Sequence, residues 1–491
     1  MQKEQHSSQN SSYIKNDHVK TDLLTAFEPS VSKEGMAYEY WIKKNWYYHG
    51  LLAKFYQFVI PENVRVLHVG SKSGNLLRTI KPSVGVGIDE DVQIIKYAQK
   101  QYPELSFYAG TVADLPQDMQ FDYIILSSVT MEIEEVQKFF ESLHRVMHPG
   151  TRLVIDTHSH LWEPVLWLAQ VLGLRRFTHF KNWLSSHNLC NLLHLANFEV
   201  VTTGSQILFP VRIPGLSWFL NNIIATIPLI ESLCLNRWII ARPLQHQLNP
   251  QDYSVSVIIP CKNERGNIEA AVQRCPQMGK HTEIIFVDDD HSKDGTYEEI
   301  QRVAAQYTDR DITFFKQGGK GKGDAVRKGF ARAQGDVLMI LDADLTVPPE
   351  ELPKFFEALM RGKGDFINGS RLVYGMESEA MRFLNLIANT LFGVGFSWLL
   401  RQQIKDTLCG TKVLFKRDYE KIAIGRAYFG DFDPFGDFDL LFGAAKQNLK
   451  IIDMPVHYKN RTYGVTQISR FRHGLLLLYM SFVAWVKFKM R

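Results

Sequence analysis

Two aspartates that stand one residue apart, Asp342 and Asp344, are the side chains of this sequence best placed for chemistry. They follow the apolar run 337–341, which predicts a buried strand, and Pro348 and Pro349 prevent its continuation. In an open α/β sheet, ligands bind at the carboxyl ends of the strands. A pair of carboxylates at that edge suits a hard divalent cation that also holds phosphate oxygens. The alternative is an acidic turn that caps the following helix.

Three further segments carry polar side chains where a predicted strand ends or a helix begins. The candidate residues are Pro260, Asn263 and Glu264 in the first segment, Asp288, Asp289 and Asp290 in the second, and Lys322 in the Gly- and Lys-rich loop 318–325. At one edge of a parallel sheet, carboxylates can bind a base, a ribose and a metal, while the helix N-terminus behind the loop can receive phosphate. Together with Asp342 they predict a nucleoside-diphosphate site. Taken singly, the loop could be a solvated turn, since it lacks the Walker A spacing, and the aspartates could be a charge bias at a helix start.

A glycine-rich loop also follows a predicted strand in the first half of the sequence. Strand 64–69 leads into Gly70, the loop continues to Gly74, and a helix is predicted after it. Asp89 lies about 20 residues further on, which is the place of a ribose-binding carboxylate in Rossmann-type domains. This half of the sequence therefore predicts a second site of the nucleotide-binding type.

The elements that must position these residues form two series in which short strands alternate with helices. Strands are predicted at 64–69, 85–88, 123–126 and 152–155, and again at 255–260, 283–287, 312–315 and 337–341. Each series implies a mostly parallel sheet, so the fold class is α/β with two Rossmann-like domains in series. We predict a disordered tail over 1–35, a first domain over 36–205, a helical connector over 206–250, a second domain over 251–465 and a terminal helix over 466–491.

Composition sets the broad class of the protein. The 491 residues are too many for one core, and 45% apolar with 22% charged residues is an ordinary globular balance. A formal net charge of +4 is too small to indicate a nucleic-acid partner. The five cysteines show no CxxC spacing, which favours reduced thiols in a cytoplasmic protein over a disulfide framework.

The C-terminal segment favours a lipid surface. Arg470 and Arg472 precede the apolar stretch 475–486, and Lys487 and Lys489 follow it, a pattern typical of an interfacial helix. The alternative is an ordinary core helix. Because the stretch is shorter than the ~20 apolar residues of a spanning helix, we expect a peripheral protein on the cytoplasmic face of a membrane.

The motifs of the second half resemble family 2 glycosyltransferases of the GT-A fold, and in particular the polyprenyl- and dolichyl-phosphate sugar transferases. The matching stretches are 257–264, 292–296, 321–325, 342–345, 369–371 and 406–412. The resemblance implies that Pro260, Asn263 and Glu264 line the base and ribose pocket, and that Asp342 and Asp344 hold Mg²⁺ or Mn²⁺ against the diphosphate. The acidic turn has one extra residue, so either Asp288–Asp289 or Asp289–Asp290 takes the family's nucleotide contact.

Such a site predicts inverting transfer of a sugar from a nucleotide-sugar donor. The metal neutralises the leaving diphosphate. A lipid-phosphate acceptor needs cations more than a base, and Arg371, Arg461 and Arg470 are candidates. An alcohol acceptor, such as a glycan, needs a carboxylate base, for which we choose Asp437.

Residues 40–205 resemble class I S-adenosylmethionine-dependent methyltransferases, which implies that Gly70, Gly74, Asp89 and Asp114 bind that cofactor. Two positions depart from the family pattern: His68 stands in place of an acidic residue and Lys72 in place of the middle glycine. Two interpretations follow. The chain is a glycosyltransferase fused to a methyltransferase acting on a related substrate, or its first domain is an inactive binding or scaffold module.

Overall fold

The computed structural model describes residues 33–490 except 179–181, 320, 375–382, 431–435 and 465–469. Of the predicted tail, residues 1–32 therefore lie outside the described part of the chain. Residues 33–35 were wrongly included in that tail, because they begin a helix, Lys33–Lys44.

Seven strands form the sheet of the first domain, in the order β3-β2-β1-β4-β5-β7-β6. The strands are β1 Arg65–Val69, β2 Val84–Asp89, β3 Ser106–Ala109, β4 Phe121–Ser127, β5 Met147–His158, β6 Phe198–Gln206 and β7 Asn236–Pro243. The flanking helices are Lys33–Lys44, Trp46–Val59, Asn75–Ile80, Val92–Gln101, Val136–Leu143, Glu163–Val171 and Ser186–Leu195. Apolar cores fill both faces of this sheet, as expected for a largely parallel sheet covered on both sides.

The prediction of a helical connector over 206–250 is wrong for its second half. Strand β7 lies between β5 and β6 and is antiparallel to both, so this segment completes the first sheet. The helices Leu216–Asn222 and Pro228–Glu231 precede it. The strand was missed because Arg237 and Arg242 interrupt its apolar residues, yet Arg242 is fully buried by partners from elsewhere in the chain.

Seven more strands form the second sheet, in the order β10-β9-β8-β11-β13-β12-β14. They are β8 Ser254–Cys261, β9 His281–Asp288, β10 Asp311–Lys316, β11 Val337–Ile340, β12 Phe366–Ser370, β13 Lys412–Phe415 and β14 Ile451–Pro455. The helices are Ile268–Arg274, Thr296–Gln306, Gly321–Arg332, Leu352–Met360, Phe383–Leu400, Lys416–Gly425, Asp437–Lys446 and Arg470–Lys489. Because β8, β9, β10 and β11 are parallel, their carboxyl ends meet at one edge, as the sequence predicts. The α/β fold class with two domains in series is confirmed.

The two domains are joined by a buried ion cluster around Asp365. Arg152 Nη2 donates to one oxygen of Asp365 at 2.7 Å and Arg242 Nη1 to the other at 2.5 Å. Arg152 also donates to the carbonyl of Asn448, whose side-chain amide in turn donates to the carbonyl of Val59. All of these groups are buried, so the contact is dry and specific.

The C-terminal helix, Arg470–Lys489, packs against the second domain through one face. Leu477, Met480, Ala484 and Phe488 are buried at helical spacing. Leu475, Leu478, Tyr479 and Phe482 lie exposed on the opposite face. Among the described residues, no helix combines the length and apolar character needed to cross a bilayer.

Candidate functional site

The end of β11 places Asp342 and Asp344 against two cations. Lys322 Nζ, from the start of helix Gly321–Arg332, lies 2.5 Å from Asp342 Oδ1. Arg461 Nη2 lies 2.5 Å from Asp344 Oδ2, and Thr346 donates to the other oxygen of Asp344. Although burial alone would raise the pKa of Asp342, the charge of Lys322 holds it below the usual value.

Arg461 joins this pair to the end of β8. Its Nη1 donates to Glu264 Oε1 at 2.8 Å, and Asn267 donates to the other Glu264 oxygen at 2.7 Å. Burial raises the pKa of Glu264 to about 7 in spite of the guanidinium beside it. Arg461, which the sequence assigns to the acceptor, thus lies between two carboxylates of the predicted donor side.

The ends of β8 and β9 hold the residues predicted to contact the nucleotide. Asp288 is buried and accepts from Ser292 at 2.7 Å, and burial raises its pKa to about 6. Asp289 is also buried and accepts from Lys262 Nζ at 3.2 Å and from the His291 amide at 2.8 Å.

Asp290 differs from its two neighbours, because it is exposed. Asn263 adopts a left-handed φ of 53° and accepts from the Lys293 amide, which fixes the turn after β8. Pro260 lies in β8 opposite Val287 and is half-buried. The structure therefore brings all six predicted residues to one edge, with Asp288 and Asp289 as the buried pair of the acidic turn.

The opposite side of the β11 edge holds two more ion pairs. Arg371 makes a two-pronged pair with Asp406, at 2.7 and 2.9 Å, and Asn389 of helix Phe383–Leu400 donates to Asp406 at 2.9 Å. Burial opposes ionisation of Asp406, but the charge of Arg371 lowers its pKa to about 2. Asp437, at the start of helix Asp437–Lys446, lies 3.2 Å from the fully buried Lys412 Nζ.

Two glycines allow these elements to approach one another. A Cβ at Gly410 would overlap both Asp342 Oδ2 and Lys322 Nζ. Gly436, with φ of 78°, lies against Gly323, so helix Asp437–Lys446 starts beside helix Gly321–Arg332. Lys412, Asp406, Asn389 and Gly410 received no role from the sequence. The stretch 406–412 was noted as a match, but only its position beside β11 shows which of its side chains reach the site.

The donor set at the end of β11 fits a hard divalent cation. Asp342 and Asp344 offer carboxylate oxygens, which Mg²⁺ and Mn²⁺ prefer. Among the described residues, no three His, Cys, Asp or Glu side chains group into a complete metal site. Mg²⁺ takes about six oxygen ligands, so a cation held by two aspartates would take further oxygens, such as those of a diphosphate.

The first domain has the glycine cradle of a cofactor site at the end of β1. Gly70 and Gly74 have φ of 67° and 81°, and a Cβ on either would strike Val129 or the ring of Phe107. Asp89 ends β2, where its oxygens accept from the amides of Lys72 and Asp91 at 3.0 and 3.1 Å. Asp114 is exposed and caps its own turn by accepting from Thr111.

A lysine of the same loop pairs with two carboxylates beside the cradle. Lys72 Nζ lies 2.9 Å from Glu132 Oε2 and 4.0 Å from Asp89 Oδ2. Burial opposes its charge, but the two carboxylates raise its pKa above the usual value, so it stays an ammonium. Helix Lys33–Lys44 covers the same loop, since Ser73 donates to Glu39 at 2.8 Å.

His68 stands where the resemblance implies a carboxylate. It is buried, neither ring nitrogen has a hydrogen-bond partner among the described residues, and burial lowers its pKa to about 3, so it is neutral. Two of the groups that the resemblance implies are therefore replaced: a neutral imidazole stands in place of the carboxylate, and a lysine in place of the middle glycine. The glycine cradle and Asp89 match a cofactor site, whereas positions 68 and 72 depart from it.

Comparisons with known proteins find a matching family for part of each domain. Residues 256–422 match the family described as glycosyl transferase family 2, and residues 43–203 match the family described as methyltransferase domain. Both resemblances predicted from the motifs are thereby confirmed. Both are families of transferases.

Each of the following curated relatives aligns with this chain over only part of its own length. A dolichol-phosphate mannosyltransferase of Pyrococcus furiosus is 35% identical over 220 residues, which is 44% of this chain and 59% of the relative. An undecaprenyl-phosphate 4-deoxy-4-formamido-L-arabinose transferase of Aeromonas hydrophila is 38% identical over 112 residues, 22% of this chain and 34% of the relative. Among solved structures, glucosyl-3-phosphoglycerate synthase of Mycobacterium tuberculosis in complex with uridine diphosphate is similar to this chain, with 17% sequence identity and a TM-score of 0.34. The superposition covers 47% of this chain and 80% of the synthase chain. The chain thus spans less than two thirds of these curated relatives.

Proposed function

Because the chain joins a methyltransferase-family domain to a family 2 glycosyltransferase domain, we propose that it transfers a sugar from a nucleoside-diphosphate sugar to a polyprenyl phosphate. The observation that carries the proposal is the set of balanced charges at the carboxyl edge of the second sheet. Four cations pair with carboxylates there: Lys322 with Asp342, Arg371 with Asp406, Lys412 with Asp437, and Arg461 with Asp344. The curated relatives include a dolichol-phosphate and an undecaprenyl-phosphate transferase, which supports the lipid acceptor.

On the donor side, Glu264, Asp288 and Asp289 would bind the base and ribose. Asp342 and Asp344 would hold a divalent cation, which supplies neutralisation of the charge on the leaving diphosphate. Lys322 and Arg461, which pair with these carboxylates, are the cations we expect to bind the donor's phosphate oxygens.

On the acceptor side, Arg371 lies close to the apolar helix Phe383–Leu400, and Lys412 pairs with Asp437. Arg371 is bound to Asp406, and Asp406 is bound to Asn389 of that helix. A lipid phosphate is already an anionic nucleophile, so these cations would orient it without a general base. The role of Asp437 as a base, suited to an alcohol acceptor, stays a prediction. Its carboxylate is paired with Lys412 at 3.2 Å, and this contact favours the phosphate acceptor, which needs no base.

A transfer assay tests the proposal. Labelled GDP- and UDP-sugars are incubated with polyprenyl phosphate in vesicles and Mg²⁺ or Mn²⁺. The proteins compared are wild type, Asp344→Asn, and Asp309→Asn as a control for loss of an exposed carboxylate. We expect Asp344→Asn to lose transfer by at least about a hundredfold, on the scale of other electrostatic groups at a reacting centre, and Asp309→Asn to keep it. Undiminished transfer by Asp344→Asn would refute the assignment of the cation site.

For the first domain, the observation that Lys72 faces Asp89, the carboxylate expected to bind the ribose, favours a module that does not bind S-adenosylmethionine. We expect calorimetry to show no saturable binding of this cofactor by the wild type. The double substitution Lys72→Gly and His68→Asp, which restores the two family residues, should gain binding. Binding of the cofactor by the wild type at micromolar concentration would instead favour the bifunctional enzyme.

A further inference from the structure

The first domain exposes a large apolar surface that neither site uses. Leu166 is the one buried side chain of the fully described helix Glu163–Val171. The exposed side chains around it include Val165, Trp167, Leu168, Val171, Leu172 and Phe177, and Trp167 is 64% exposed. A surface helix normally buries an apolar stripe and presents polar residues to water. This helix instead packs against Ile207 and Leu235 through Leu166 and presents apolar side chains to solvent on its other faces.

A second segment of the same domain continues this surface. Residues 207–234 expose Val211, Ile213, Leu216, Trp218, Phe219 and Leu229, the last at 85%. Trp162 Nε1, at the start of the first segment, donates to the carbonyl of Leu233 at 2.8 Å, so the two segments adjoin. Residues 161–178 and 207–234 together form what we call the apolar platform.

The platform is continuous with the apolar helices of the second domain. Trp398 Nε1 donates to the carbonyl of Thr226 at 3.2 Å, and Arg401 pairs with Glu231. Helix Phe383–Leu400 exposes Leu391 and packs against helix Arg470–Lys489, which exposes its own apolar face. The same helix reaches the site through Asn389 and Asp406.

The charges of the platform match an anionic lipid surface. Its two segments carry five charged side chains: Glu163, Arg175, Arg176, Arg212 and Glu231. Of the two acids, Glu231 is balanced by Arg401. Arg212 lies 5.0 Å over the ring of Trp46, and Lys44 donates to the carbonyl of Gly173, so cations and aromatic rings border the apolar area. Aromatic rings and cations beside an apolar face are the composition of interfacial membrane segments.

We propose that the apolar platform of the first domain docks onto a lipid bilayer and, with the exposed faces of helices Phe383–Leu400 and Arg470–Lys489, forms one membrane footprint. The inference rests on the proposed function, because a polyprenyl phosphate must be reached in a bilayer. It extends that function by giving the first domain a role, since the platform holds the acceptor side of the second domain at the lipid surface. A second copy of the chain is the competing occupant, but such an interface supplies no reason for the cationic border.

Vesicle flotation tests the platform directly. The full chain is floated with vesicles of phosphatidylcholine alone and of phosphatidylcholine with about 30% phosphatidylglycerol, which gives a negative surface. The test variant is Trp167→Glu with Leu172→Glu. The matched control is Val92→Glu with Leu195→Glu, which places the same charges at exposed apolar positions of the same domain outside the platform. Thermal unfolding establishes that both variants fold.

We expect the wild type to float, more strongly with the anionic vesicles, and the platform variant to lose partitioning by about tenfold or more. The control should float like the wild type. Equal flotation of platform variant and wild type would overturn the proposal. So would a wild-type dimer that the platform substitutions convert to a monomer without a change in flotation, since the surface would then join two copies.

The flotation experiment and the transfer assay test the membrane footprint and the proposed function independently. Flotation needs no donor, so Asp344→Asn should float like the wild type even where it has lost transfer. A platform variant that floats poorly should still bind a soluble nucleoside diphosphate, because its substitutions lie in the other domain.

Discussion

At the scale of single residues, the site of the second domain is a set of opposite charges that balance one another before any ligand binds. Arg461 contacts both Glu264 and Asp344, and Lys322 contacts Asp342. This pairing stabilises the fold, because an unpaired charge that is partly buried lowers the free energy of unfolding. It also leaves the cations positioned for phosphate once the carboxylates have another partner.

The raised pKa of Glu264 predicts a pH dependence of stability. Its pKa is about 7 in the folded chain against an ordinary value of 4.5. Between these values the folded protein retains a proton that the unfolded chain releases, so this residue's contribution is full below about pH 4.5 and is lost as the pH rises through 7. One proton limits the slope to about 1.4 kcal/mol per pH unit. Without divalent cations, denaturant unfolding of wild type and Glu264→Gln should give a difference in free energy that changes between about pH 5 and about pH 7.

Glutamine has nearly the same shape as glutamate but does not titrate. The Glu264→Gln variant therefore removes the ionisation while preserving the packing. A difference in unfolding free energy that stays constant over this range would show that Glu264 ionises normally in the folded protein.

The types of the site residues were predictable from sequence, but their partners were not. Asp342 and Asp344 were found because they follow an apolar run that can only be a strand. Lys412 is fully buried and pairs with Asp437, a contact made by two elements that are not neighbours in sequence. No local pattern predicts that a lysine with these sequence neighbours will be buried.

At the scale of elements, the loop before β13 lies against the charged pair at the end of β11. Gly410 lies where any side chain would meet the Asp342–Lys322 pair. The glycine is therefore a requirement of the site and not of the turn.

Gly410→Ala should weaken binding of a nucleoside diphosphate by about tenfold or more while changing stability little, because the added methyl displaces the two charged side chains and not the backbone. Calorimetric titration and thermal unfolding measure the two effects. Gly50→Ala is the control, since a Cβ there meets no atom within 4 Å. Equal loss of binding in both variants would contradict this explanation.

The strands that formed apolar runs, such as β1, β8 and β11, were predictable, whereas β7 was not. Arginines are typical of exposed loops, but Arg242 of this strand is buried because it pairs with Asp365 of the other domain. The sequence of one domain thus contains a strand whose burial depends on the other.

At the scale of the whole molecule, Asp365 is the centre of the buried ion cluster between the two domains. It neutralises Arg152 and Arg242, which are 5% and 0% exposed at their side chains. Two buried guanidinium groups without this carboxylate would be strongly unfavourable.

Asp365→Asn should therefore destabilise the chain by roughly 3–5 kcal/mol, the range for breaking a buried pair. The loss should appear in denaturant unfolding as two transitions in place of one, since the contact between the domains would be weakened. Asp311→Asn, which removes an exposed partner of His281, should change stability by less than about 1 kcal/mol. A loss for Asp365→Asn no larger than that for Asp311→Asn would show that the cluster does not hold the domains together.

The most direct test of the proposed sugar-nucleotide site is binding of a nucleoside diphosphate with and without a divalent cation. Calorimetry on the full chain should show that Mg²⁺ or Mn²⁺ strengthens binding of UDP or GDP by at least about tenfold in the wild type, because Asp342 and Asp344 share the cation with the diphosphate. In Asp344→Asn this enhancement should disappear, while Asp309→Asn should retain it. Binding that is equally strong with and without the cation in all three proteins would contradict the assignment of these aspartates.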